Sequence, residues 1–317
     1  MAFGRKSIPV YLFTGFLDSG KTSFIIETLK EGQFEDGRST LYITCEEGEE
    51  EIPPELLKKN KFIVESIEDE EEVSTELLQA LDKKHKPHRI MIEANGMWDN
   101  KELIQSFPKN WSLAESIATV DSITFESYLS NMKQMVTNQF DQADLVVFNR
   151  CSPEHDRAMF KRMVRAVNKR GQVLFETPEG EVDNDAHEEP PYDINADVIE
   201  IKEEDFGIFY LDAMDNVDNF VGKTVCFKGQ VFHPKKAKDD IFVPGRFAMT
   251  CCADDVAFIG FPCKYDAAAL LKNKDWVQVM ATVKKAPSRE MGGYAPVLVA
   301  QTIEPATKAE EDLVYFN

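Results

Sequence analysis

The chain has 317 residues, 43% of them hydrophobic and 29% charged, a composition that builds a folded core and excludes a disordered polymer. It carries 56 carboxylates against 36 lysines and arginines, a formal charge of -20. Such a chain repels a phosphate backbone, and its lysine-rich stretches at 58–61 and 83–86 sit among carboxylates, so no nucleic-acid partner is expected.

The first half alternates apolar runs with amphipathic ones. PVYLF (9–13), STLYIT (39–44), KFIVES (61–66), HRIMIEA (88–94), ESIATVD (115–121) and ADLVVFN (143–149) predict strands. SFIIETLKEG (23–32) and EEEVSTELLQALDKK (70–84) predict helices between them. The alternation implies an α/β fold with a mostly parallel sheet covered on both faces, and ligands at the C-terminal strand ends. The first apolar run is short, broken by Pro9 and Gly15, and reads as neither a secretory signal nor a membrane span. A cytoplasmic protein is expected, with Cys45, Cys151, Cys226, Cys251, Cys252 and Cys263 reduced.

Composition changes at 177–197, where apolar periodicity stops, Pro190 and Pro191 appear and carboxylates accumulate. The expected organisation is an α/β domain over 1–177, an acidic linker over 178–206 and a β domain over 207–317. GIFYLDA (207–213), KTVCFKGQVFH (223–233), GRFAMTCC (245–252), DVAFIGFPC (255–263), DWVQVMATVKK (275–285) and APVLVAQTIEP (295–305) read as its short strands. Five or six such strands suit a small all-β, OB-like barrel.

Immediately after the first strand, GFLDSGKT (15–22) places two glycines around four residues, then lysine and threonine, and a helix follows. This is the P-loop pattern. Gly15 and Gly20 let the backbone curl its N–H groups towards phosphate oxygens, with Ser19 between them and Ser23 just beyond. Lys21 sets a cation against the β- and γ-phosphates, Thr22 offers a hydroxyl to Mg²⁺, and the helix start favours the anion. Asp18 is unusual in a phosphate cradle: it either points away from the ligand or simply tolerates the turn geometry.

The string PVYLFTGFLDSGKTSFIIETL resembles the opening of the CobW-like P-loop GTPases, the CobW/HypB/UreG type associated with metal trafficking. Four further segments resemble that family in order: CEEGEEEI (45–52), IEANG (92–96), IATVDS (117–122) and NQFDQADLVVFNR (138–150), so the resemblance spans about residues 8–185. It implies GTP with Mg²⁺ as the ligand. Glu46 and Glu49 would belong to the nucleotide-sensing loop, Glu46 and Glu93 would lie near the metal as Mg²⁺ ligands beside Thr22, Gly96 would offer an N–H near the γ-phosphate, and Asn149 would contact the base. Glu46 also reads as one more member of a solvated acidic run. The family's Asn-Lys-x-Asp becomes Asn149-Arg150-Cys151-Ser152, so ATP stays open beside GTP; Arg150 can still lie over a base. The family's Cys-x-Cys-Cys metal motif is absent before the IEANG segment.

From about 207 to 304 the chain resembles the C-terminal domain of YcgQ-like proteins, carried by NFVGKTVCFKGQVF (219–232), GRFAMTCCADD (245–255) and IGFPC (259–263). That resemblance implies a membrane transport subunit as a partner. Cys251 and Cys252, with Cys263 nearby, could hold Zn²⁺ or another soft metal if the chain bends there; the alternative is packing in the core.

The expected activity is that of an NTPase switch, with Lys21 and Mg²⁺ offsetting charge as phosphoryl passes to water. Glu93, Asp121 or a residue from a second copy in a homodimer are the candidates for orienting that water. Two other functions fit the same residues: a nucleotide-gated adaptor for a protein client, and a metal carrier using the second-domain cysteines.

Overall fold

The computed structural model describes residues 7–183, 190–235, 237–250, 255–288 and 292–316. The chain divides into two compact units, residues 1–157 with 170–185, and 158–169 with 186–317.

The first unit is a seven-stranded parallel sheet. Its strands are β1 (Ile8–Thr14), β2 (Thr40–Thr44), β3 (Phe62–Ser66), β4 (Arg89–Glu93), β5 (Trp111–Asp121), β6 (Leu145–Asn149) and β7 (Gln172–Phe175), in the order β3-β2-β4-β1-β5-β6-β7. Helices α1 (Lys21–Lys30), α2 (Pro54–Lys59), α3 (Thr75–His85), α4 (Asn100–Gln105), α5 (Ser122–Asn131) and α6 (Lys133–Asp141) connect them. Strand side chains alternate between faces. Val10 and Leu12 therefore join Leu41, Ile43, Ile90 and Ile92 in one apolar cluster, and Phe13 joins Tyr42, Met91 and Val147 in another. Burial on both faces explains the near-continuous apolar runs of these strands.

Local signals start and stop the helices. Ser74 Oγ accepts from Leu77 N at 3.3 Å at the head of α3, and Asp99 accepts from Lys101 N at 2.7 Å at the head of α4. α3 ends on Lys83, Lys84 and His85, which suit the negative end of its dipole, before Lys86 turns left-handed at φ 48°.

The second unit contains α7 (Arg157–Val167) from Ala158 onward, β8 (Val198–Glu200), α8 (Phe206–Asp215), α9 (Val217–Phe220), β9 (Thr224–Phe232), β10 (Ile241–Ala248), β11 (Ala257–Gly260), β12 (Cys263–Lys264), β13 (Trp276–Ser288), β14 (Gly293–Pro305) and β15 (Leu313–Val314). The pairings β9–β10, β10–β12, β12–β14, β14–β13 and β13–β9 close on themselves as a five-strand cycle, in which only β12–β14 is parallel. β11 and β15 flank β10, and β8 adds to β9. Of the stretch read as a linker, Val198–Glu200 pairs with β9, and Tyr192, Ile199 and Ile201 are buried in this unit's core.

The strand expected over 207–213 is a helix, α8. Phe206, Phe209, Tyr210 and Ala213 are buried at helical spacing, a period that a window starting at Gly207 cuts off. Phe209 packs within aromatic contact of Tyr192, Phe206, Phe220, Phe227 and Phe261. Arg162 Nε on α7 donates to Phe316 O at 3.2 Å, and Arg165 Nε meets Asp215 Oδ2 at 3.0 Å. No helix of the described residues is long and apolar enough to cross a membrane.

Candidate functional site

The loop between β1 and α1 sits at the C-terminal end of the sheet, where the hydrogen-bonding groups of β1 run out. Gly15 has φ +132° and Gly20 φ +93°, both in the region that favours glycine. A Cβ on Gly15 would lie 2.3 Å from Thr119 O, so the residue is demanded by space as well as by its dihedral angle. Asp18 also has a positive φ, 59°, and is exposed. Aspartate is one of the few side chains that tolerate that conformation, which is the plain account of its presence here. Ser19 Oγ is tied to Thr119 Oγ1 at 2.8 Å, which anchors the loop to β5.

Lys21 opens α1 and is 3% exposed. Its ammonium donates to Gly15 O at 2.8 Å and Phe16 O at 2.9 Å, and forms an ion pair with Glu46. Glu46 follows β2 and is 11% exposed, so it lies inside the site and apart from a solvated run. Next on α1, Thr22 Oγ1 donates to Glu93 Oε1 at 2.6 Å, and Ser23 Oγ donates to Glu50. Glu93 ends β4 beside Phe13 of β1 and is buried; its other oxygen accepts from the Tyr42 hydroxyl of β2. Burial first, and the Glu93 charge second, push the Tyr42 phenol well above its usual range, so this hydroxyl stays a donor. Burial likewise pushes the adjacent Cys45 thiol up to about 12.

Three further contacts close the site. A Cβ on Gly96 would lie 2.3 Å from Gly15 O, so the loop after β4 rests directly on the P-loop backbone. Asn149, ending β6, donates from Nδ2 to Ser19 O at 2.6 Å, while its buried Oδ1 has no hydrogen-bond partner among the described residues. Arg150 Nη1 reaches Asp121 Oδ2 at 2.7 Å and Asp18 O at 3.2 Å, so its guanidinium is bound to the ends of β5 and the P-loop. Two residues on, the Ser152 N–H donates to His155 Nδ1 at 2.9 Å.

A cavity of about 370 Å³ opens onto Lys21, Thr22, Glu46, Glu93, Asp121 and Arg150, with Glu49 also on its wall. These groups suit a triphosphate and a hard cation. The curled backbone and Lys21 meet anionic oxygens, while the Thr22 hydroxyl beside the Glu93 carboxylate is an oxygen donor set of the kind Mg²⁺ takes. A second cavity of about 190 Å³ also borders the loop, lined by Phe16, Thr119, Phe125, Tyr128, Gln139 and Phe140.

Gly15, Asp18, Ser19, Gly20, Lys21, Thr22, Ser23, Glu46, Glu93, Gly96, Asp121, Asn149 and Arg150 thus come together at one sheet end. Tyr42, Thr119 and Gln139 join them; Thr119 and Gln139 lie in the IATVDS and NQFDQAD segments that resemble the family, but no site role is read for any of the three from the sequence. Cys263 lies in the second unit's core, 0% exposed, where burial pushes its thiol up to about 12 and disfavours the thiolate that binds metals. Cys251 and Cys252 lie outside the described residues. Among the described residues, no group of three or more His, Cys, Asp or Glu side chains is placed to hold a metal ion.

A parallel sheet with a phosphate-type loop after β1 and a carboxylate ending β4 defines a P-loop NTPase fold. The chain belongs to the CobW/HypB/UreG, nucleotide-binding domain family, which it matches over residues 9–175. Residues 177–316 match the DUF1980 C-terminal domain. The crystal structure of the hydrogenase maturation factor HypB from Archaeoglobus fulgidus is similar with 16% identity and a TM-score of 0.40, over 55% of this chain and 82% of that one. No curated protein matches the chain.

Proposed function

We propose that this chain is a Mg²⁺-dependent nucleoside triphosphate switch that binds and hydrolyses GTP, with ATP as the competing substrate. The observation that carries the reading is the joint placement of Lys21, Thr22 and Glu93 around the curled loop of Gly15 and Gly20. Thr22 and Glu93 would hold Mg²⁺, directly or through water, and the ion would supply positive charge to the oxygens between the β- and γ-phosphates. Lys21 would exchange its Glu46 partner for phosphate oxygens and stabilise the charge that develops there. Glu46, released from Lys21, would give the 46–51 loop two arrangements, one for each nucleotide state.

Asp121 has one carboxylate oxygen committed to Arg150 and the other to the Ile123 amide at 2.8 Å. It would therefore shape the site; the Glu93 oxygens are likewise held by Thr22 and Tyr42, so Glu93 would act on water through the Mg²⁺ shell and not as a free base. Family membership supports a role in metal homeostasis through a protein client, and the resemblance of the second domain to YcgQ-like proteins adds a membrane transport subunit as a partner, with the chain acting in the cytoplasm. The five-strand cycle of the second unit supports its reading as an OB-like barrel.

The test is phosphate release by purified protein with GTP or ATP and Mg²⁺, beside nucleotide titration of the same samples. Activity that disappears in Lys21→Ala supports the enzyme. Binding without release above the Lys21→Ala level replaces it with the nucleotide-gated adaptor, and preferential ATP affinity overturns the guanine assignment.

A further inference from the structure

Gln139 lies on α6, 4% exposed, between two loops distant from it in sequence. Its Oε1 accepts from the Gly15 amide at 3.1 Å, and its Nε2 donates to the Gly96 carbonyl at 2.8 Å. These two contacts fix the orientation of the amide. Reversal would set an NH₂ against an N–H and a carbonyl against a carbonyl. Asn100 Nδ2 adds a second donor to Oε1 at 3.3 Å.

The loops that Gln139 joins are already in contact. A Cβ on Gly96 would meet Gly15 O at 2.3 Å and the Phe16 Cα at 2.5 Å. Gly96 therefore cannot shift relative to the P-loop without stretching or breaking the Gln139 bridge. The bridge ends on a helix, so any such shift is also felt by α6.

We infer that Gln139 is a positioning residue that couples the loop after β4 to the P-loop and transmits the triphosphate-bound placement of Gly96 to α6. This rests on the nucleotide reading given above. A γ-phosphate draws on the Gly96 N–H, whereas a diphosphate leaves it alone. The carbonyl of Gly96 is held by Gln139 Nε2, so this donor governs how far the loop can turn towards the phosphate. Gln139 then acts on the preference for triphosphate over diphosphate, and leaves phosphate binding as a whole unchanged.

The experiment measures affinities of the full chain for a non-hydrolysable triphosphate analogue and for the matching diphosphate, with Mg²⁺. Wild type is compared with Gln139→Met and Gln139→Glu, each checked for folding by thermal unfolding. Gln139→Met removes the donor with little change of volume and should weaken the analogue about tenfold while leaving the diphosphate within about twofold. Gln139→Glu keeps an acceptor for the Gly15 amide but sets a carboxylate against the Gly96 carbonyl, so it should show the same selective loss.

Equal losses for both nucleotides in Gln139→Met, or a Gln139→Glu variant that keeps the wild-type preference for triphosphate, overturn the coupling and leave a merely structural side chain. If Gln139→Glu does not fold, the selective or equal loss in Gln139→Met decides alone. Wild-type protein that binds neither nucleotide overturns the nucleotide reading itself, and the coupling with it.

Discussion

Lys21 and Glu46 form an ion pair inside the P-loop, and the two remaining donors of the Lys21 ammonium are taken by Gly15 O and Phe16 O. All three donors of the ammonium are therefore engaged by the protein. A phosphate that approaches Lys21 competes with the Glu46 carboxylate for it. Glu46→Gln replaces a charged acceptor by a neutral one, which weakens that competition by about 1 kcal/mol. Calorimetric titration should show GTP binding about fivefold tighter in Glu46→Gln than in wild type.

Thr22 and Glu93 are 2.6 Å apart and are assigned together to Mg²⁺. Glu93→Gln keeps the shape but removes the charge that attracts the cation. The Mg²⁺ concentration giving half-maximal nucleotide binding should rise about tenfold, on the order of 1.4 kcal/mol. An unchanged Mg²⁺ requirement would place the metal elsewhere.

By the resemblance of 149–152 to Asn-Lys-x-Asp, Ser152 would stand where a carboxylate accepts from guanine, and Arg150 is bound to Asp121 and the P-loop. Ser152→Asp restores a charged acceptor, a change of about 1–2 kcal/mol for a base that can donate to it. The ratio of GTP to ATP affinity should rise about tenfold in competition binding. A ratio that does not move would remove residue 152 from base recognition.

Cys45 and Cys263 are buried, and burial holds both thiols up to about 12 against an ordinary value of 9.0. In the unfolded chain they ionise near the ordinary value, so between about pH 9 and pH 12 the unfolded state holds fewer protons than the native state. Stability should fall as pH rises through that window, by about 1.4 kcal/mol per pH unit for each thiol. Cys263→Ala should flatten this alkaline limb in chemical unfolding. In native protein neither thiol should react with iodoacetamide on the timescale of an exposed cysteine, as read by peptide mass spectrometry.

Phe209 is 0% exposed and touches five aromatic rings. Phe209→Ala should cost about 3–5 kcal/mol of second-unit stability. Denaturant unfolding, followed by tryptophan fluorescence from Trp276 in Trp98→Phe, Trp111→Phe background protein, would read it.

What could be read in advance follows the range of the interactions. β1, the glycine-bracketed loop and α1 are adjacent in the chain, so their dihedral demands and apolar pattern are local and visible as residue types. β7 is only four residues long, QVLF, too short for a period to emerge. α8 lost its helical signature because its first buried residue, Phe206, fell outside the apolar window. The roles of Tyr42 and Gln139 were invisible for another reason, although Gln139 lies in a segment that resembles the family. Their partners Glu93 and Gly15 lie 51 and 124 positions away, and only the sheet order brings them together. The resemblance to CobW-like proteins supplied the order of the loops, but not which side chains bridge them.

The division into units has a consequence for the gene. Residues 158–169 belong with 186–317, although they are encoded between β6 and β7 of the other unit. The chain thus crosses from one unit to the other at 157, at 169 and again at 185. A recombination joint near 177 would deliver the second unit to a new host without its α7 segment, and so without the Arg162 and Arg165 contacts to Phe316 and Asp215. The two halves are separable as sequence families yet indivisible as cassettes.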